Sequence, residues 1–257
     1  MTERDPREMV TPAHINQRRA GILRELGLAP LWLLRNLAAP DPSPAEHHQP
    51  SIPGVPEPAD PRAASIAAME WDALRASVAA CNACELCKTR QQAVLGVGDV
   101  SPDWLFVGEG PGAEEDQRGE PFVGQAGKLL DAMLSAIDLR RGRKVYIANT
   151  VKCRPPGNRT PTAAETAACW PYLERQIALL KPSLIMALGK PAAQTLLQKE
   201  IKVGESRGRV FEHNGIALIV TYHPAYLLRT LPDKAKAWED LCFARATLRK
   251  ILKQAPN

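Results

Sequence analysis

The sequence predicts a three-layer α/β/α fold in which a central four-stranded parallel sheet lies between layers of helices. Short apolar segments alternate along the chain with amphipathic helical ones, and the short segments are apolar almost throughout. Continuous apolar strands indicate a sheet that is covered on both faces, as parallel sheets usually are. Glycine-rich or polar residues follow several of these segments directly, which is typical of the edge where such sheets bind ligands.

Four segments are predicted strands, and three of them are followed by residues that can carry chemistry. The strands are Trp104–Val107, Val145–Ile147, Leu184–Leu188 and Ile216–Val220. The residues that follow them are Gly108–Gly112, Asn149 and Tyr222–Pro224. Because the carboxyl ends of parallel strands meet at one edge of the sheet, we expect these groups to lie close together.

The predicted helices have apolar residues at helical spacing. Ser65–Val78 is amphipathic and leads into the first cysteines, and Ala126–Ile137 carries a long apolar stripe. Thr162 and Glu165 form a capping-box signature, which indicates that a further helix begins there. Cys242 lies in a C-terminal helical pattern and is expected in the core rather than at a metal.

Composition divides the chain into a helical extension over residues 1–38, a proline-rich linker over 39–62 and a compact α/β domain over 63–257. Eight of the 22 residues from Pro40 to Pro61 are proline, which excludes a helix or a central strand and predicts an extended linker. In the extension, Gln17–Leu37 has apolar residues at helical spacing. We expect this segment either to dock on its own protein or to bind a protein partner.

Charge and hydropathy limit the possible classes of function. The net charge of +5 over 257 residues permits a polyanionic partner without identifying one. No apolar run approaches the roughly 20 residues of a membrane span. The charged segment Met1–Val10 lacks the apolar core of a signal peptide. We therefore expect a cytoplasmic location and no membrane partner. The protein is also expected to be a monomer.

The six cysteines are expected to be metal ligands or buried thiols, because disulfides are rare in a reducing compartment. Cys81, Cys84 and Cys87 are each separated by two residues, and Cys153 and Cys169 follow at a distance. A Cys-x2-Cys pair and a second, distant pair can together complete a zinc or an iron–sulfur site. The fourth Cys-Pro of a ferredoxin-like run is absent, so one of the first three cysteines is expected not to be a ligand.

The glycine-rich segment Gly108–Ala113 formally fits a dinucleotide-binding fingerprint after a strand. It is a poor one, because Pro111 removes a backbone donor and the acidic run Glu114–Asp116 would repel a pyrophosphate. A loop that presents backbone amides to a neutral polar ligand, with carboxylates nearby to orient water, fits these residues better. The alternative is a tight turn without a ligand.

Three long motifs, in order along the chain, identify a family. Gly108–Gly124 (GEGPGAEEDQRGEPFVG), followed by Gln125–Gly127, resembles the first motif of the family 4 uracil-DNA glycosylases, the iron–sulfur members of the uracil glycosylase superfamily. Val145–Asn149 with Lys152–Arg159 resembles the second motif, and His223–Arg229 (HPAYLLR) resembles the last. The resemblance covers roughly residues 80 to 250.

The resemblance implies a DNA-repair enzyme that flips uracil out of DNA and hydrolyses its N-glycosidic bond, leaving an abasic site. It implies a 4Fe–4S cluster on Cys81, Cys84, Cys153 and Cys169, and it places Cys87 at a position that does not ligate. A subgroup that captures DNA covalently has a histidine-bearing insertion that is absent here, so turnover is expected. The enzyme is expected to be monofunctional, on the interpretation that no lysine stands in the motifs to form a Schiff base.

The resemblance also implies roles for individual residues in the site. The Asn149 amide would read the uracil edge, Phe122 would stack on the base, and the Gly110 amide would bind a uracil carbonyl. His223 would donate a hydrogen bond to the charge that develops on uracil O2. Glu109 and Glu115 are both candidates to orient the attacking water, and the sequence leaves the choice between them open.

The expected partner is uracil-containing DNA, single- or double-stranded, in a nucleoid-associated cytoplasmic location. A basic set is expected to contact phosphates, and the stretch Tyr226–Leu228 is expected to wedge into the base stack. The predicted DNA-binding residues are Arg154, Arg159, Lys190, Arg207, Leu227 and Arg229. The alternatives are a non-catalytic iron–sulfur protein that binds nucleic acid or senses redox state on the same fold, and a zinc-stabilised binding module.

Overall fold

The computed structural model describes residues 60–254. The predicted extension over residues 1–38 and nearly all of the predicted linker lie outside the described residues, so these two boundaries stay predictions. The described chain enters its first helix at Pro61, just before the predicted start of the α/β domain. The Asp60 side chain caps this helix by accepting a hydrogen bond from Arg62 N at 3.0 Å.

The sheet has six strands in the order β1-β3-β2-β4-β6-β5. The strands are β1 (Val97–Gly98), β2 (Trp104–Gly108), β3 (Val145–Asn149), β4 (Leu184–Leu188), β5 (Phe211–His213) and β6 (Ile216–Thr221). The four central strands are parallel, as predicted, and β1 and β5 add antiparallel edges. The sheet is therefore mixed rather than purely parallel. The sequence did not predict the two edge strands, because segments of two and three residues are too short to show a pattern.

Helices cover both faces of this sheet. They are α1 (Pro61–Ala67), α2 (Trp71–Ala79), α3 (Ala113–Arg118), α4 (Gln125–Ser135), α5 (Ala163–Leu180), α6 (Lys190–Leu197), α7 (Val203–Ser206), α8 (Pro224–Arg229) and α9 (Asp233–Gln254). The prediction of one helix over Ser65–Val78 was wrong, because α1 ends at Ala67 and Glu70 is extended before α2 begins. Within residues 60–254, none of the helices combines the length and apolarity that a bilayer crossing needs.

Side chains alternate between two cores along each central strand. Trp104 and Phe106 of β2 point into the core that α4 and α9 cover. Leu105 and Val107 point into the opposite core beneath α5 and α6. A third apolar cluster packs α1 and α2 against the beginning of α5, and it includes Cys153 and Cys169. The two main cores hold the ends of the central strands in place. The third cluster brings together Cys153 and Cys169, which are distant in sequence.

Candidate functional site

A cavity of about 850 Å³ lies at the carboxyl edge of the parallel strands. The segments that follow β2, β3, β4 and β6 all contribute to its lining, as the strand pattern predicted. Among the predicted site residues, the cavity is lined by Glu109, Gly110, Glu115, Phe122, Asn149, Arg159, Lys190, His223 and Arg229. The structure therefore gathers residues that lie more than a hundred positions apart in the chain at one opening.

Glu115 holds the glycine-rich loop together from inside. One of its carboxylate oxygens accepts a hydrogen bond from Gly112 N at 3.1 Å. The other accepts from Val123 N at 2.9 Å and Gly124 N at 3.0 Å. A carboxylate that accepts three backbone N–H groups fixes the loop on either side of α3 and has little capacity left for a water.

Glu109 has a different environment. Its backbone carbonyl accepts hydrogen bonds from Thr150 Oγ1 at 2.5 Å and Val151 N at 3.2 Å, which ties the loop after β2 to the loop after β3. Its carboxylate lines the cavity and accepts no hydrogen bond from residues 60–254. The two acidic candidates therefore differ in what remains for them to bind.

Asn149 ends β3 with its side chain in the cavity wall and only 2% of its surface exposed. Its Oδ1 is buried and has no hydrogen-bond partner within the described chain. An unpaired buried amide oxygen costs free energy, on the order of 1–3 kcal/mol, unless a ligand satisfies it. A Cβ on Gly108 would lie 2.5 Å from this oxygen, so glycine is required beside it.

Phe122 forms another wall of the cavity and adopts a left-handed backbone with φ 56°. This conformation costs a bulky residue about 1–3 kcal/mol, so the surrounding contacts must enforce it. Its ring centroid lies 5.5 Å from that of His223, with a tilt of 31° between the planes. The ring also depends on Gly108, because a Cβ there would lie 2.5 Å from Phe122 Cζ.

His223 precedes α8 and caps it, because Nδ1 accepts a hydrogen bond from Ala225 N at 3.1 Å. The neutral ring therefore carries its proton on Nε2. Burial, with a smaller effect of Arg229, lowers the pKa of His223 to about 4, while Glu115 acts in the opposite direction. Near neutral pH the ring is thus an uncharged donor rather than an imidazolium.

The predicted phosphate contacts fall into two groups. Arg159, Lys190 and Arg229 lie at the cavity, and Arg154 lies in the adjoining loop, where its Nε donates to Asn158 Oδ1 at 2.8 Å. Arg159 already forms a bidentate pair with Glu165 at 2.6 and 2.8 Å, which lowers the pKa of that carboxyl to about 2. A phosphate bound at Arg159 would have to share the guanidinium with the Glu165 carboxylate.

Two residues that were predicted to contact DNA, Leu227 and Arg207, are instead engaged in contacts within the protein. Leu227 is only 1% exposed and packs in the core beneath α9, so it cannot enter a base stack without unpacking that core. Its neighbour Leu228 is 41% exposed. Arg207 donates from Nε to Asp240 Oδ2 at 2.9 Å and from Nη2 to Glu239, and its guanidinium lies over the Tyr222 ring. We therefore exclude Leu227 and Arg207 from the DNA-contacting set.

The four cysteines expected as ligands line a second, small cavity. Cys81 and Cys84 come from the segment after α2, Cys153 from the loop after β3 and Cys169 from α5. Cys87 is absent from this lining, and Cys242 lies half-buried on α9 rather than in the core.

N–H groups point at the sulfur atoms of this cavity. Arg90 Nη1 donates to Cys153 Sγ at 2.9 Å, and Lys152 N donates to Cys169 Sγ at 3.3 Å. Burial raises the pKa of the Cys169 thiol to about 11, so its deprotonation needs a positive group at the cavity. N–H donors at two of the four sulfurs would stabilise thiolates there, as the sulfur ligands of a metal cluster require.

Lys152 lines the cysteine cavity and shows that the second motif does contain a lysine. It is 1% exposed, and its Nζ donates to the Asn149 backbone oxygen at 2.8 Å. Burial lowers the pKa of Lys152 to about 8. Its amine is directed at the backbone and is thereby separated from any sugar in the cavity, so a monofunctional reaction stays our prediction.

The chain belongs to the uracil DNA glycosylase superfamily, whose family model matches residues 95–242. It is 42% identical to the type-4 uracil-DNA glycosylase of Pyrobaculum aerophilum, over 67% of this chain and 92% of that protein. It is also 42% identical to the type-4 uracil-DNA glycosylase of Thermotoga maritima, over 66% of this chain and 90% of that protein. A type-5 uracil-DNA glycosylase of Pyrobaculum aerophilum is 31% identical over 51% of this chain. The family 4 resemblance of the motifs is thereby confirmed.

Proposed function

We propose that this protein removes uracil from DNA by hydrolysing the N-glycosidic bond. The unpaired, buried Oδ1 of Asn149 carries the proposal, because it is a hydrogen-bond acceptor without a donor within residues 60–254, in the wall of a cavity large enough to admit a base. The relatives named as type-4 uracil-DNA glycosylases support it. A base in a duplex must be extruded to reach such a cavity, at a cost of a few kcal/mol.

Recognition of uracil follows from the Asn149 amide. Its Oδ1 accepts from the N3–H of uracil, and its NH₂ group donates to O4. Cytosine presents an acceptor at N3 and a donor at C4, so it would oppose both groups of the amide. Phe122 would provide a face for the base, and the N–H of Gly110, which also lines the cavity, would bind a uracil carbonyl.

Bond cleavage leaves negative charge on the uracil and positive charge on the sugar. The Nε2–H of neutral His223 donates to O2 as this charge develops, and because the group is a preorganised donor, no reorganisation is needed. Glu109 has a carboxylate free to orient water towards the sugar and to stabilise its positive charge. Glu115 would not contact the water directly. It would act by holding in place the loop that carries Gly112 and Gly124.

We propose that Cys81, Cys84, Cys153 and Cys169 hold a 4Fe–4S cluster. Within residues 60–254 no three Cys, His, Asp or Glu side chains converge closely enough to share one ion, so the proposal rests on the four cysteines that line one cavity. The cluster would supply structural cross-linking between α2, α5 and the loop after β3.

The proposed DNA surface surrounds the cavity. Arg154, Lys190 and Arg229 would contact phosphates, and Leu228 would replace the buried Leu227 as the wedge. We further propose that the protein acts as a monomer in the nucleoid-associated cytoplasm. A partner for residues 1–38 also remains a proposal.

The decisive experiment measures free uracil released from a uracil-containing oligonucleotide, single- and double-stranded. We expect release by the wild type and its loss in Asn149→Ala and His223→Ala, each with unchanged absorbance near 400 nm and a cooperative thermal transition that shows an intact fold. DNA binding without release would favour the non-catalytic alternative. A colourless protein that contains zinc and no iron would refute the cluster while leaving the glycosylase proposal intact.

A further inference from the structure

The segment that presents Phe122 to the cavity is held by an arginine that no motif includes. Arg141 lies in the connection between α4 and β3, and its Nη1 donates to the Pro121 backbone oxygen at 2.8 Å. Its Nη2 donates to the Phe122 backbone oxygen. Its Nε is anchored to Asp131 Oδ1 of α4 at 2.6 Å.

The backbone carbonyls of Pro121 and Phe122 thus both accept hydrogen bonds from the Arg141 guanidinium, next to the strained backbone of Phe122. Phe122 has φ 56°, in the left-handed region that an aromatic residue rarely adopts. The rigid fork of arginine can hold two carbonyl oxygens at once, whereas the single ammonium of lysine cannot reproduce that geometry. Arg141 is therefore chemically suited to stabilise this conformation.

The same carbonyl is confined from the opposite direction. A Cβ on Gly127 would lie 1.7 Å from the Phe122 oxygen, so the beginning of α4 can approach only because residue 127 has no side chain. On the other side of the bend, Glu115 accepts from the N–H groups of Val123 and Gly124. Arg141, Gly127 and Glu115 together leave the Phe122 backbone little freedom.

The contacts of Arg141 distinguish it from an ordinary surface arginine. The side chain is only 24% exposed, although it comes from a basic segment (RRGRK, residues 140–144) that would by sequence suggest solvent or phosphate contacts. Every nitrogen of its guanidinium donates to Asp131, Pro121 or Phe122. Three of its five N–H groups are thereby committed to contacts within the protein.

We propose that Arg141 is a positioning residue for base recognition, which acts by holding Phe122 in the conformation that stacks on uracil. The inference rests on the proposed function, because it takes the base to lie against Phe122. Loss of the guanidinium releases the backbone from its left-handed conformation, and the ring then loses its fixed place beside His223 and Gly108. Substrate binding weakens while the groups that act on the glycosidic bond stay in place.

The test is a double-mutant cycle on uracil release, with Arg141→Met, Phe122→Leu and the double variant. We expect Arg141→Met to raise KM about tenfold with kcat changed less than threefold. In the Phe122→Leu background the same substitution should change KM less than twofold, because its effect passes through the ring. Equal losses in both backgrounds, or a loss in kcat alone, would overturn the inference.

Two further variants separate positioning from folding. Arg245→Met is the matched control, since Arg245 is 33% exposed, pairs with Asp138 at 3.5 Å and lies outside the cavity lining. It should leave KM unchanged. Should Arg141→Met fail to fold, Arg141→Lys decides, with KM raised at least threefold expected and a wild-type KM overturning the proposal. A wild type that releases no uracil refutes the proposed function and this inference together, whereas an active wild type with an unaffected Arg141→Lys refutes the inference alone.

Discussion

The protonation state of His223 gives the sharpest test of the proposed chemistry. Its pKa falls from 6.5 to about 4 on burial. Each pKa unit corresponds to about 1.4 kcal/mol, so the folded protein disfavours the charged ring by roughly 3 kcal/mol. We therefore expect a ring that is neutral throughout the range from pH 5 to pH 9, with its proton on Nε2.

The perturbation is a pH titration of the wild type beside His223→Gln and His223→Ala. Removing one donor to a developing oxyanion typically costs about 10²–10³ in kcat, which we expect for His223→Ala. His223→Gln should retain part of the activity, because its NH₂ group can still donate. Neither variant should alter the slope of kcat against pH between pH 5 and pH 8.

The assays are pH profiles of single-turnover uracil release and ¹⁵N chemical shifts of the imidazole. The shifts should report the Nε2–H tautomer and no titration near pH 6.5. Since the folded pKa lies below the unfolded one, stability present above pH 6.5 should be lost as the pH falls towards 4. A wild-type rate that declines as pH rises through 6.5, absent in His223→Gln, would refute the reasoning, because it would require an imidazolium donor.

Three further predictions concern the cavity wall and the proposed wedge. Asn149→Ala should lower kcat/KM for uracil release at least about 100-fold, since it removes two hydrogen bonds to the base, and circular dichroism should show an intact fold. Gly108→Ala should abolish binding of a non-cleavable uracil analogue in a fluorescence titration, because its Cβ would displace both Asn149 and Phe122. Leu227→Ala should lower stability to denaturant by about 2–5 kcal/mol, whereas Leu228→Ala should raise KM for duplex DNA at unchanged stability. The reverse pattern at the two leucines would restore Leu227 as the wedge.

The sequence predicted the central sheet because its four strands are apolar throughout. Such strands are buried only when helices cover both faces of the sheet. It could not predict β1 and β5, since a strand of two or three residues takes its identity from its partner rather than from its own pattern. The break between α1 and α2 was missed for a similar reason. Its apolar residues keep helical spacing across the turn, so periodicity alone did not reveal the interruption.

At the site, motif positions identified the residues that meet at the cavity but not the contacts of each. Leu227 and Leu228 are adjacent leucines of the last motif, so the sequence does not distinguish them. The rotation of α8 about its axis decides which of the two faces the core. The roles of Glu109 and Glu115 diverge because Glu115 reaches three backbone N–H groups across the loop. Arg207 looked like a phosphate contact because its partners on α9 lie some 30 residues further along the chain.

The order in which the cysteines occur along the chain has a consequence for biosynthesis. The ribosome completes Cys81 and Cys84 long before Cys169, which lies in α5, and α5 is also the helix against which α1 packs. Until residue 169 has left the exit tunnel, Cys81 and Cys84 lack one of their two distant partners and the helix against which α1 packs. The proposed cluster can therefore assemble only after residue 169 has emerged, and a truncated nascent chain would leave those thiols exposed to oxidation.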